Sequence, residues 1–149
     1  MTTIKGFACV DSTTGHVVLE QAPGPFEAST TTGIDLKTTG QTTLYTVPSI
    51  GGSSVFIPTN LILTITNANT VTVAPVITVG VSTGLTSLVT STTLTGLSAQ
   101  GNYVDLMFKS TLQVKNAVPQ SSIIQIDVTT GATATTLECC VTLFGYFIL

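Results

Sequence analysis

The sequence predicts an all-β fold: an antiparallel β-sandwich, an eight-stranded jelly roll, preceded by an extended N-terminal arm. In the stretch 54–66, Leu61, Leu63 and Ile65 recur at the two-residue period of a strand with one face in a core. Turn-forming segments bracket this stretch, and later segments repeat the alternation at similar spacing. Counting from Thr43 gives eight candidate strands, the number that a double-sheet jelly roll needs.

The composition is unusually poor in charge and rich in threonine. Charged residues make up 7% of the 149 residues, and 31 residues are threonine, whereas an ordinary soluble domain has about 25% charged residues. Threonine suits an extended backbone, and its hydroxyl keeps the outer face of a strand in contact with water. A second interpretation is that other subunits cover part of the surface. We expect a mixture of the two.

Several classes of protein are disfavoured by the same composition. A net charge of −3 and four scattered lysines argue against a nucleic-acid-binding surface. We expect no membrane contact, since the apolar runs are shorter than the ~18 residues of a spanning helix. No charged segment followed by an apolar one marks a secretory signal, so folding in a cytoplasm is expected.

Cys139 and Cys140 would point to opposite faces of a strand, which favours buried thiols over a disulfide.

The first 41 residues differ from the rest of the chain. They contain four of the seven acidic residues, the single histidine and the break Pro23-Gly24-Pro25. Two short β-like pieces are predicted at 4–10 and 16–20, while 28–40 has too few apolar residues to nucleate a core. We therefore predict that 1–41 is an arm that packs against the domain or a neighbour, with a frayed tail as the alternative. The sandwich domain is predicted at 42–149.

The strands predicted after the arm share the two-residue period, and the last one differs in having two apolar faces. The predicted strands are 43–48, 55–66, 71–79, 84–96, 102–108, 111–115, 122–128 and 136–149. A short helix is the alternative for 84–96, and a continuation of the preceding strand is the alternative for 111–115. In the last strand Phe144, Tyr146 and Ile148 lie on one face, and the opposite face of the strand is also apolar. Such a strand is covered on both sides, either inside the fold or at a subunit contact. The second face of 55–66, with Ile62, is a further place for a covering partner.

No arrangement of residues predicts catalysis. His16 is remote in sequence from every cysteine, so a nucleophile activated by a base is not expected. The cysteines also lack the spacing of a zinc site. Asp105 and Asp127 are predicted on outward faces, where solvated carboxylates are favoured over a catalytic pair. The loop 51–54 lacks the lysine of a phosphate-binding loop. We therefore predict no enzymatic activity, no metal and no cofactor.

Motifs in the segment 43–69 carry a resemblance to a known group. They are Tyr-Thr-Val-Pro at 45–48, a Gly/Ser loop, Ile-Pro-Thr at 57–59 and Thr-Asn at 66–67. This segment, and more loosely the chain through 144–146, resembles small jelly-roll structural proteins of tailed bacteriophages. The resemblance implies a non-enzymatic virion component, made in the host cytoplasm: a capsid decoration or cement protein. Such a protein binds the outside of the head, as a homotrimer, and stabilises contacts between capsomers.

The partners implied are further copies of the chain and the major capsid protein or another virion protein. The alternative is a receptor-binding or carbohydrate-binding module of a tail fibre or baseplate, for which Tyr103 with Asn102 and Asp105 is the candidate cluster. The predicted assembly interface consists of apolar residues of the arm and of the last strand. These are Ile4, Phe7, Val10, Val17, Leu19, Phe26, Phe144, Tyr146 and Ile148.

Overall fold

The described part of the chain forms β-strands and one short 3-10 helix. The computed structural model describes residues 6–10 and 17–21, by their backbone, and residues 25–50, 54–109 and 113–148. The strands are β1 (Gly6–Val10), β2 (Val17–Gln21), β3 (Phe26–Asp35), β4 (Gly40–Thr46), β5 (Val55–Asn69), β6 (Val76–Val81), β7 (Gly84–Thr93), β8 (Tyr103–Asp105), β9 (Val118–Pro119), β10 (Ile123–Thr130) and β11 (Thr136–Ile148). The 3-10 helix, Gln113–Asn116, packs against β5.

Two antiparallel sheets pack face to face around one core. The five-stranded sheet has the order β3-β11-β5-β8, with β9 also pairing with β5, and the four-stranded sheet has the order β4-β10-β6-β7. The pairs are nested along the chain: β3 with β11, β4 with β10, β5 with β8, and β6 with β7. One antiparallel ribbon folded over on itself gives this order, which is that of a jelly roll. The predicted fold class is confirmed.

The alternation read from the sequence determines which side chains enter the core. Leu61, Leu63 and Ile65 of β5 are buried, as predicted. Ile124 and Ile126 of β10 meet them from the other sheet within the same hydrophobic cluster. Burial of a side chain of this size stabilises the fold by about 1.5–3 kcal/mol, so these rows supply much of the driving force for folding.

An aromatic cluster closes one end of the sandwich and joins the two sheets. The Phe56 ring centroid lies 5.1 Å from that of Tyr45, 5.4 Å from Phe147 and 6.4 Å from Phe26, and Phe26 stacks on Phe147 at 6.0 Å. These residues come from β3, β4, β5 and β11, so the cluster connects both ends of the ribbon. Burial also raises the pKa of Tyr45.

Gly145 makes room for the centre of that cluster. A Cβ at this position would collide with the Phe56 ring and would lie 2.5 Å from the Ile57 carbonyl oxygen. The register between β5 and β11 shifts at this point, opposite Pro58, as it does at a β-bulge. The bulge and the glycine together let the strands approach while Phe56 stays fully buried.

The structure differs from the prediction in part of the expected arm. Residues 26–35 form β3, an edge strand of the five-stranded sheet that pairs with β11 from Asp35 to Phe26. Ile34 and Leu36 are buried in the core. A strand needs few apolar groups when its backbone hydrogen bonds to a neighbour and its threonines favour extended backbone. The scarcity of apolar residues in 28–40 therefore did not show that this segment lies outside the sandwich.

Two further predicted strands differ from the structure. The segment predicted as a strand at 111–115 overlaps the 3-10 helix that begins at Gln113, because an alternation over five residues is too short to identify a strand. The strand predicted from Val71 begins only after Pro75, which lacks a backbone N–H. This strand, β6, lies inside its sheet, between β10 and β7. Val73 is exposed and forms an isolated bridge to Thr133.

The strands β1 and β2 form a separate two-stranded sheet. Gly6 pairs with Gln21 and Val10 with Val17, close to the two β-like pieces predicted from the sequence. A two-stranded hairpin by itself is only marginally stable in water. A hairpin of this kind gains stability when it packs against another surface.

Replacing Gly145 by alanine tests the close approach to Phe56. We expect Gly145→Ala to lower the free energy of unfolding by about 2–3 kcal/mol, because the added methyl group overpacks a rigid site. Urea denaturation followed by circular dichroism measures the change. The control is Gly84→Ala, where the nearest atom to the new Cβ is 3.9 Å away. Equal stability of the two variants would contradict the proposed packing.

Two truncations test where the domain begins. Deleting residues 1–24 leaves every strand of the two packed sheets in place, so cooperative unfolding should be retained. Deleting residues 1–36 also removes Ile34 and Leu36 from the core and exposes the edge of β11, and cooperative unfolding should be lost. Thermal and urea denaturation measure both, and a fully stable second truncation would show that β3 is dispensable.

Candidate assembly face

The surface of the five-stranded sheet turned away from the core is here called the outer face. On β11 the buried positions alternate with outward ones, and cross-strand pairing assigns their neighbours on β3, β5 and β8. The exposed and half-buried positions of this face include Glu27, Thr30, Asp35, Asn60, Ile62, Thr64, Asn67, Tyr103, Asp105, Glu138, Cys140, Thr142, Phe144, Tyr146 and Ile148. Ile57, the cross-strand partner of Tyr146, lies on the same side and is fully buried.

The centre of the outer face is apolar. Phe144 and Tyr146 of β11 and Ile62 of β5 are half-buried, and Ile148 is 44% exposed. Tyr103, at the β8 edge, is 71% exposed. The outer side of an antiparallel sandwich is ordinarily polar. Aromatic and aliphatic side chains in this position are typical of a surface that contacts another molecule.

Threonine hydroxyls and one carboxylate form a short chain of hydrogen bonds across this face. Thr30 Oγ1 donates to Glu27 Oε1 at 2.9 Å. Thr142 Oγ1 lies 3.0 Å from Thr30 Oγ1 and is therefore the donor in that contact. On the other side of the face, Asn60 Nδ2 donates to Asp105 Oδ2 at 3.5 Å. These contacts order the polar border around the apolar centre.

The predicted interface residues are divided among three places. Phe144, Tyr146 and Ile148 lie together on the outer face. Phe26 lies on the inner side, in the aromatic cluster, and is 38% exposed. The remaining residues belong to the N-terminal segment: Phe7, Val10, Val17 and Leu19 lie on β1 and β2, and Ile4 falls outside the described residues.

The cluster predicted for glycan binding is only partly assembled. Tyr103 and Asp105 are both on the outer face, two residues apart on β8. The side-chain oxygen of Asn102 instead accepts a hydrogen bond from the Ala99 N–H at 2.8 Å and closes the preceding loop. Asn60, from β5, takes the place beside Asp105. Sequence spacing did not identify Asn60, because its proximity depends on the pairing of two distant strands.

The two acidic residues considered as a catalytic pair lie on different sheets. Asp105 is on β8 of the five-stranded sheet and Asp127 on β10 of the four-stranded one, and both alternate with buried positions. They point away from opposite sides of the sandwich, so they do not form a carboxylate pair.

Among residues 25–50, 54–109 and 113–148, no three His, Cys, Asp or Glu side chains come together as metal ligands. Within the described helical structure, nothing is long and apolar enough to span a membrane.

The adjacent cysteines occupy opposite faces of β11, as predicted. Both are free thiols. Cys139 is buried in the core, and burial, with a smaller contribution from neighbouring Cys140, raises its pKa to about 12. Cys140 is half-buried on the outer face, paired with Thr64. Only the thiolate reacts with electrophiles, so the two thiols should differ in reactivity.

No family model matches the chain, and no curated protein or solved structure matches it either. The resemblance to phage jelly-roll proteins therefore stays a hypothesis from the residues of 43–69.

Alkylation tests the placement of the two cysteines. In a Cys9→Ser background, iodoacetamide at pH 8 should modify Cys140 and leave Cys139 intact, because a pKa of about 12 leaves roughly one Cys139 thiol in ten thousand ionised. Peptide mass spectrometry after alkylation distinguishes the two sites. Unfolding in urea should make both reactive, and equal alkylation in the folded chain would contradict the assigned faces.

Proposed function

We propose that the chain is a structural protein of a virion, a decoration protein that binds the outside of a tailed-phage head and stabilises contacts between capsomers. The observation that carries the proposal is the apolar centre of the outer face, formed by Phe144, Tyr146 and Ile62 on strands whose other sides fill the core. The motifs of 43–69 and their resemblance to phage proteins support the same function.

A rigid sandwich with one apolar face suits a protein that acts by covering a surface. Apolar area buried at a contact contributes about 25 cal/mol per Å² before the costs of association. A decoration protein binds in many copies to a repeating lattice, so that a modest contact per copy is multiplied. Attachment of this kind needs no pocket and no reactive side chain.

The N-terminal hairpin supplies a second contact in this proposal. As a lone two-stranded sheet, β1–β2 gains stability by packing on a neighbouring copy or on the shell. Exchange of such hairpins around a threefold axis would hold a homotrimer together. The hairpin joins the sandwich at Phe26, beside the aromatic cluster, so neighbouring copies would meet at that end.

Rebinding to particles tests the function. Heads prepared without the chain are mixed with purified protein, and occupancy is measured by sedimentation and by cryo-electron microscopy. We expect saturable binding on the outside of the head and a higher temperature of head disruption. Absence of binding, or binding to tail fibres alone, would refute a decoration function.

Surface variants identify the face that binds. Tyr103→Ser and Phe144→Ser should each reduce occupancy at least about tenfold, the effect of losing about 1.4 kcal/mol. Gln125→Ser, on the outward side of β10 in the other sheet, is the matched control and should bind normally. Because Tyr103 is mostly exposed, its variant should keep wild-type unfolding and so separate binding from folding.

Glycan recognition by a tail-fibre or baseplate module is the second candidate function. The exposed ring of Tyr103 next to Asp105 and Asn60 is the observation that favours it, since sugars stack on aromatic rings bordered by polar planar groups. A glycan array separates the candidates: sugar binding that Tyr103→Ser abolishes, without binding to heads, would select this function.

A further inference from the structure

Charge is distributed unequally between the two outward surfaces of the sandwich. The outer face carries Glu27, Asp35, Asp105 and Glu138, four of the seven acidic residues of the chain. None of the five strands of this sheet contains a lysine, arginine or histidine. The four-stranded sheet contains Asp127 as its single charged residue. The outer face, which has the apolar centre, is therefore also the more acidic of the two surfaces.

The acidic residues border the apolar centre at defined positions of the register. Glu27 is the cross-strand partner of Phe144, and Asp105 is the partner of Ile62. An exposed carboxylate thus lies beside an apolar side chain at both edges of the sheet. Carboxylates next to aromatic rings suit lysine and arginine, whose charged ends pair with the acids while their stems and cations pack on the rings.

A third feature of the face is a like-charge pair. Asp35 and Glu138 are direct cross-strand partners, an arrangement that destabilises a sheet. Asp35 accepts hydrogen bonds from the Lys37 N–H at 2.9 Å and the Thr38 hydroxyl at 2.8 Å. The nearby Lys37 ammonium group donates to the Thr135 carbonyl oxygen at 3.1 Å. A cation supplied by a partner would reduce the remaining repulsion.

These observations together specify the chemistry of the occupant. We infer that the outer face binds a basic protein surface, one on which arginine or lysine side chains surround apolar side chains. A second copy fits less well, because two outer faces brought together would oppose like charges. This inference deepens the proposed function by giving the chemistry of the partner, and only the identification of that partner with a capsid rests on the proposed function.

A peptide pair tests the inference with the full-length protein. The probe is a six-residue peptide of alternating arginine and leucine, and its control replaces each arginine by citrulline, which has a similar shape without the charge. Titration into the ¹⁵N-labelled chain, followed by NMR, should shift amide signals of β5, β8 and β11. The arginine peptide should bind at least about tenfold more tightly than the citrulline peptide, and its affinity should fall as salt increases.

A matched pair of variants distinguishes this face from a general effect of negative charge. Asp105→Asn and Asp127→Asn change the net charge equally but lie on opposite surfaces. Asp105→Asn should weaken binding of the arginine peptide about three-fold or more, while Asp127→Asn leaves it unchanged. Equal affinity for both peptides, equal effects of both variants, shifts confined to the four-stranded sheet, no binding at millimolar peptide, or self-association through this face would each overturn the inference.

The two proposals fail separately. If the peptide results are as expected but heads are not bound, the basic-partner inference stands and the decoration function is wrong. If heads are bound equally by the wild type and by Asp105→Asn, and the peptides bind alike, the function stands and the charge inference is wrong.

Discussion

The position of β11 between β3 and β5 is the constraint on which the rest of the structure depends. The last strand of the chain pairs along β5 from Asn69 to Val55 and along β3 from Asp35 to Phe26. Its inward side chains, such as Val141 and Leu143, are buried in the core. Because the first and last strands of the sandwich are partners, the nested pairs between them follow, and the ribbon closes as a jelly roll.

The same strand couples the core to the outer face. At Gly145 the strand passes beneath the Phe56 ring, and the register shift there determines which neighbours Phe144 and Tyr146 have on the other side. A change that disturbs the aromatic cluster would therefore also alter the outer face. Bulges often direct a particular side chain outward next to functional surfaces, and this one lies within the apolar centre.

Part of the candidate site was visible in the sequence. Because both sides of the last strand are apolar, the sequence predicted that Phe144, Tyr146 and Ile148 contact another part of the fold or another subunit. The alternation of β5 placed Ile62 on the face turned away from the core. The acidic border was not predicted, because Glu27 belonged to the expected arm. Its position beside Phe144 depends on β3 being a strand of the sandwich, which its few apolar residues did not indicate.

The sequence by itself determined the class of fold and the inward or outward direction of most strand residues. Alternation is a local property: each strand has a period of two, whatever its neighbours are. Only the tertiary structure decided that residues 26–35 join the sheet, that Asp35 lies opposite Glu138, and that acidic residues from β3, β8 and β11 share one face. Those relations depend on pairings between distant segments and on bulges that shift the register, and no single stretch of sequence contains that information.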